Sequence, residues 1–123
     1  LDLTECTVFE YGSGSSTHYW AGKARQVVSV ERDPVWFEKV KQTLPAKCTL
    51  HLRPKDFEYV KVINDGQRRY DIIIVDGAVR FPCTEEAMKC LSDDGLILLD
   101  NSDWYPNSCK LLRDHGYTQL DFV

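Results

Sequence analysis

The chain is 123 residues long with a formal net charge of −4 at pH 7, and 43% of its residues are hydrophobic. That length holds one domain with a real core and little beyond it. Its lysines and arginines are scattered rather than gathered into a stripe, which argues against nucleic acid as a partner, and no apolar run nears the roughly 20 residues of a membrane span.

Apolar runs alternate with amphipathic stretches, the pattern of an α/β domain built on a parallel sheet. "CTVFEY" (Cys6 to Tyr11) reads as the first strand, and Ser16 to Lys23 as a helix started by the hydroxyls of Ser15, Ser16 and Thr17. "QVVSVE" (Gln26 to Glu31) is a second strand. Asp33 then caps a helix with Pro34 at its first position, with Val35, Trp36, Val40 and Leu44 near one face and Pro45 ending it; Trp36, like Trp20, is read as a core residue. "CTLHLR" (Cys48 to Arg53) is a third strand, and Phe57 to Ile63 forms a short helix before the Asn64-Asp65-Gly66 turn. "YDIIIVDG" (Tyr70 to Gly77) is the strongest strand, its run of β-branched residues from Ile72 to Val75 pointing to burial on both faces.

Further on, Thr84 to Leu91 reads as helical, Asp93 to Gly95 as a turn, and "LILLD" (Leu96 to Asp100) as a fifth strand. Pro106 opens another helix that ends at Gly116, and Tyr117 to Val123 begins a sixth strand. A strand in that position leaves a sheet edge that a second copy of the chain could cover, so a homodimer is expected. The five cysteines include no C-x-x-C pair, which fits reduced thiols. With no signal-peptide pattern at Leu1 to Thr4, the expected location is cytoplasmic. The first residue is not Met, which leaves room for a native segment before it.

The stretch "FEYGSGSST" (Phe9 to Thr17) carries the functional signal. A strand, then Gly12-Ser13-Gly14, then a helix lets main-chain N–H groups face a ligand at close range. An acid about twenty residues downstream, at the end of the second strand, can accept hydrogen bonds from a ribose. Glu31 follows Gly14 at about that distance, so a nucleoside site is expected. Thr17 stands where a dinucleotide fingerprint has its third Gly or Ala, and the carboxylate of Glu10 suits an ammonium or sulfonium better than a phosphate. A nicotinamide-dependent oxidoreductase is therefore disfavoured.

"VFEYGSGSST", with "VVSVERD" after it and "YDIIIVDG" later, resembles the class I S-adenosylmethionine-dependent methyltransferases over nearly the whole chain. The resemblance implies a Rossmann-like doubly wound, mostly parallel sheet of order 3-2-1-4-5 plus a sixth strand. That is short of the family's seven strands, so residues 1–123 are read as one cofactor-binding domain, open to being incomplete at both ends. It also implies that Glu10 and the backbone of Gly12, Ser13 and Gly14 hold the methionine end of S-adenosyl-L-methionine, with Ser16 and Thr17 beside them. Glu31 would take the ribose hydroxyls, Arg32 would lie beside the adenine, Asp56 and Phe57 would meet its edge and face, and Asp76 would complete the set.

Ligands of open parallel sheets bind outside the carboxyl ends of the strands, where strand order reverses. Asp76 ends the fourth strand and Asp100 with Asn101 the fifth, an oxygen-donor set suited to Mg²⁺. The placement is similar to the metal-dependent catechol O-methyltransferase group, which implies a metal at Asp76, Asp100 and Asn101 and a catalytic role for Asp76 and Asp100. That group carries a Lys shortly after the first Asp as general base. Here Arg80 is the basic residue, and it cannot accept a proton; His18 is a further candidate base. The expected activity is methyl transfer to a hydroxyl of a small-molecule acceptor with divalent-metal assistance. A catalytically inactive cofactor-binding module is the second reading.

Overall fold

The computed structural model describes residues 3–76, 79–99 and 106–117. Five parallel strands make one sheet in the order β3-β2-β1-β4-β5. They are β1 (Thr7–Tyr11), β2 (Gln26–Glu31), β3 (Cys48–Leu52), β4 (Tyr70–Val75) and β5 (Leu91–Leu99). The connecting helices are α1 (Ser15–Ala21), α2 (Pro34–Lys41), α3 (Asp56–Lys61), continued by a 3₁₀ turn over Val62–Asn64, and α4 (Arg80–Cys90); α5 (Pro106–Asp114) follows β5. The sheet order expected from the sequence is the one observed. The predicted sixth strand lies largely outside the described residues, as do Asp100 and Asn101.

β1 is buried along its whole length, so its alternating side chains feed two cores. Val8 packs with Ala21, Ala24, Val27, Ile72 and Ile74 on the α1 side. Phe9 and Tyr11 point the other way, into a larger core with Tyr59, Ile63, Ile73, Val75, Cys83 and Ala87 beneath α3 and α4. There the rings of Phe9 and Tyr11 meet edge-on at 4.9 Å, and the Tyr11 hydroxyl donates to the Val60 carbonyl at 2.8 Å. Burial on both faces is why β1, β2 and β4 read as near-continuous apolar runs.

Two elements start four or more residues earlier than the sequence predicts. α4 begins at Arg80 rather than Thr84, because Val79 turns the chain in the left-handed region (φ 47°) and Pro82 falls in the first turn. A proline there removes only an N–H that has no intrahelical partner. β5 begins at Leu91 rather than Leu96, and the expected Asp93–Gly95 turn is a bulge within it: between the paired rungs Tyr70↔Leu91 and Ile72↔Leu96, β5 takes the longer path. Gly95 allows this, since a Cβ there would lie 2.9 Å from the Asp71 carbonyl oxygen and closer still to Leu91.

α3 and α4 are clasped by one buried acid. Glu86 accepts from Lys61 Nζ at 2.5 Å, Asn64 Nδ2 at 2.9 Å and Lys89 Nζ at 3.2 Å. Burial pushes its carboxyl up, but these three donors outweigh it and hold the group below its ordinary value of 4.5. The stabilisation is therefore present above pH 4.5 and lost as pH falls through the lower folded value. Both lysines are substantially exposed, so solvent screens their share. Glu86→Ala should lower the unfolding free energy by about 1–2 kcal/mol at pH 7 and remove part of the acid-limb slope, read by urea titration across pH. No loss at pH 7 would mean that the clasp contributes nothing.

Among the described residues no helix is long and apolar enough to cross a membrane.

Candidate cofactor site at the sheet switch point

β1 and β4 are neighbours while the chain travels outward in opposite senses from them, so a crevice opens at their carboxyl ends. A cleft of about 310 Å³ occupies that place, lined by Gly12, Ser13, Ser16, Glu31, Arg32, Tyr59 and Asp76. Six of these seven were expected as site residues. Tyr59 was not: it is an aromatic of α3 that packs in the core and reaches the cleft floor. Its only sequence signal is its spacing with Val60 and Ile63 on the buried face of a short helix.

The glycine loop is shaped by residues beneath it. Gly12 and Gly14 adopt φ values of 99° and 145°, open to glycine and rarely to other residues. Glu10, 1% exposed, lies under the loop and is absent from the cleft lining. Its carboxylate accepts from Ser16 Oγ, from Thr17 Oγ1 at 2.5 Å and from Ser29 Oγ at 3.1 Å. Thr17 in turn accepts the Gly14 N–H at 3.1 Å, so the loop backbone is tied to Glu10 through one hydroxyl. Burial raises the Glu10 carboxyl above its ordinary 4.5, with the three hydroxyls pulling the other way and the charge of Asp76 adding to the rise.

Glu31 at the end of β2 faces the cleft with its carboxylate fixed. Oε2 accepts the N–H groups of Arg32 and Asp33, each at 3.0 Å, and Oε1 accepts Ser13 Oγ at 2.6 Å. Asp33 caps α2 by accepting from Val35 N, with Pro34 next in line. That cap aims Trp36 back over the loop, where its indole Nε1 donates to the Ser13 carbonyl at 2.9 Å. The sequence reading had placed Trp36 in the core. It is 43% exposed and braces Gly14 instead, while Val35 is more exposed still.

Arg32 pairs with Asp56 at 2.7 Å, which brings Asp56 to the rim of the cleft without making it part of the wall. Phe57 is 73% exposed and lines a neighbouring hollow of about 400 Å³ with Lys61, Val79 and Pro82. His18 bonds Thr43 Oγ1 at 2.9 Å and does not line the cleft where a base would act. Asp76 is held by the Arg80 guanidinium, 3.4 Å from Oδ1 and 3.3 Å from its carbonyl oxygen. Among the described residues no three His, Cys, Asp or Glu groups converge on a possible metal position, and the other two expected ligands, Asp100 and Asn101, lie outside those residues.

No protein-family model matches the sequence, and neither does any curated protein. Solved structures do. Precorrin 8W decarboxylase from Methanobacterium thermoautotrophicum superposes with a TM-score of 0.75 at 18% identity, over 95% of this chain and 66% of its own. Precorrin-6y C5,15-methyltransferase from Geobacter metallireducens gives 0.74 at 18% identity, over 98% of this chain and 69% of its own. The fold is the Rossmann-like fold of class I methyltransferases. A SAM-dependent methyltransferase from Thiobacillus denitrificans, solved with S-adenosyl-L-homocysteine, gives 0.59 at 12% identity, over 79% of this chain and 42% of its own. The chain thus spans about two thirds of the length of the two precorrin proteins.

Proposed function

We propose that the chain is an S-adenosyl-L-methionine-dependent methyltransferase acting on a hydroxyl of a small molecule. One observation carries the reading: a single cleft at the β1/β4 switch point joins the Gly12–Gly14 loop, the strand-end acid Glu31 and Asp76. Glu31 would accept the ribose hydroxyls, the loop backbone would flank the amino-acid end, and Tyr59 would lie against the nucleoside from below. The loop acid Glu10 acts from underneath, by fixing the hydroxyls of Ser16 and Thr17. The neighbour solved with S-adenosyl-L-homocysteine supports the choice of cofactor.

The cofactor supplies an activated methyl group on a sulfonium. The protein then has to hold the acceptor oxygen in line with that group and take up the proton released, so catalysis rests mainly on alignment. Asp76 is a carboxylate in the cleft wall and is the candidate to receive the proton. A divalent cation beside Asp76 would face the Arg80 guanidinium. Metal assistance is accordingly no part of the proposed reaction.

Isothermal titration of the folded protein should give saturable heat with S-adenosylhomocysteine and none with NAD. Glu31→Ala should weaken S-adenosylhomocysteine by roughly 10- to 100-fold, the worth of one or two hydrogen bonds to a charged acceptor. Heat from NAD alone would overturn the reading. Binding without methyl transfer to any hydroxyl acceptor would favour an inactive module, a reading to which the Asp76–Arg80 pair lends support.

A further inference from the structure

We propose that Ser13 is a specificity-determining residue whose hydroxyl stands in for a ribose hydroxyl at Glu31; the inference rests on the reading of the cleft as a nucleoside site. An ionised carboxylate offers about four acceptor positions. Three of those on Glu31 are taken, by the N–H groups of Arg32 and Asp33 on Oε2 and by Ser13 Oγ on Oε1 at 2.6 Å. A ribose brings a vicinal pair of O–H donors. Both can reach Glu31 only if one replaces Ser13, so the diol gains one net hydrogen bond there instead of two.

The surrounding contacts make this exchange a rotation of one side chain. The Ser13 carbonyl is held by Trp36 Nε1 at 2.9 Å, and the next residue, Gly14, is tied through its N–H to Thr17 Oγ1 and packed against the Trp36 ring. The loop backbone therefore stays while Oγ turns about χ1. Both backbone N–H groups on Oε2 come from the fixed β2–α2 corner, so Ser13 is the exchangeable one of the three donors. The serine thereby weakens nucleoside binding and narrows the preference for a ribose over a 2′-deoxyribose, which needs only the free position. Ser13 lies outside the left-handed region, so alanine fits its backbone.

The test is a cycle of wild type, Ser13→Ala, Glu31→Ala and the double variant, each checked for cooperative urea unfolding and titrated with S-adenosylhomocysteine, adenosine and 2′-deoxyadenosine. Ser13→Ala should bind S-adenosylhomocysteine about tenfold tighter, one exchanged hydrogen bond's worth. The gain should vanish in the Glu31→Ala background, and the adenosine preference over 2′-deoxyadenosine should widen in Ser13→Ala. Equal or weaker binding by Ser13→Ala, with wild type binding normally, overturns the inference and leaves the proposed function standing. A gain that persists without Glu31 overturns it too. No S-adenosylhomocysteine binding by either folded wild type or Ser13→Ala overturns both.

Discussion

Replacing Glu10 by alanine is expected to lower the unfolding free energy at pH 7 by about 3 kcal/mol, measured by urea titration. Thr17 and Ser29 are wholly buried, and both hydroxyls lose their acceptor in this variant. Each buried donor left unsatisfied costs about 1–3 kcal/mol, and the truncation adds a cavity beneath the loop. Glu10→Gln keeps the volume and one acceptor oxygen, so its loss should be under about 1 kcal/mol. If alanine and glutamine prove equal and harmless, the hydroxyl network is not what holds the loop.

The same pair of variants reads the charge. A carboxyl raised by burial binds its proton more tightly folded than unfolded. Its contribution to stability is therefore complete below pH 4.5 and declines as pH rises from there through the folded value. Glu86 runs the other way, gaining over the acid range in which it ionises. Subtracting the pH profile of Glu10→Gln from that of wild type should leave a decline with rising pH, and a flat difference would mean that Glu10 titrates folded as it does unfolded.

What could be read from the sequence divides along a physical line. Strands buried on both faces leave a run of apolar residues that needs no tertiary information, so β1, β2 and β4 were legible, while their order in the sheet came from the family resemblance. Glycines that must take positive φ and an acid at a strand end are likewise local signals, which is why the turn at Gly12 and Gly14 and the position of Glu31 at the end of β2 were legible. β5 was not delimited, because its bulge depends on Leu91 and Gly95 closing over Asp71 of the next strand. The start of α4 was hidden by a proline that is a breaker in mid-helix and harmless in a first turn.

Side-chain partnerships across elements were the least legible. Nothing in "EYGSGSST" says that its glutamate turns inward to three hydroxyls, one of them from β2, rather than outward to a ligand. The amphipathic pattern of α2 placed Trp36 with the core, yet the cap at Asp33 sets the helix so that the indole covers the loop. Asp56 was expected at the adenine edge; the structure pairs it with Arg32 and places it on the wall of the neighbouring hollow. Phe57, next to it, faces the neighbouring hollow.

Gly14→Val is expected to cost about 3 kcal/mol and to abolish nucleoside binding. Two effects compete as the cause. A Cβ on Gly14 would approach Trp36 Cζ2 to 3.3 Å, a contact that a half-exposed ring relieves by moving a few tenths of an ångström. The backbone at φ 145° offers no such relief, and a β-branched residue held there is strained by about 1–3 kcal/mol. Strain should therefore dominate, and Gly14→Ala should already show about half of the loss. Trp36→Phe separates the two: it removes the indole bond to the Ser13 carbonyl and leaves φ untouched. If Gly14→Val in the Trp36→Phe background loses as much as it does alone, the conformation of the loop sets the penalty; if the loss disappears, the packing of the ring does. Recovery of full stability by Gly14→Val in wild type would mean that this loop does not need its glycine, and the close approach of main chain to ligand would fall with it.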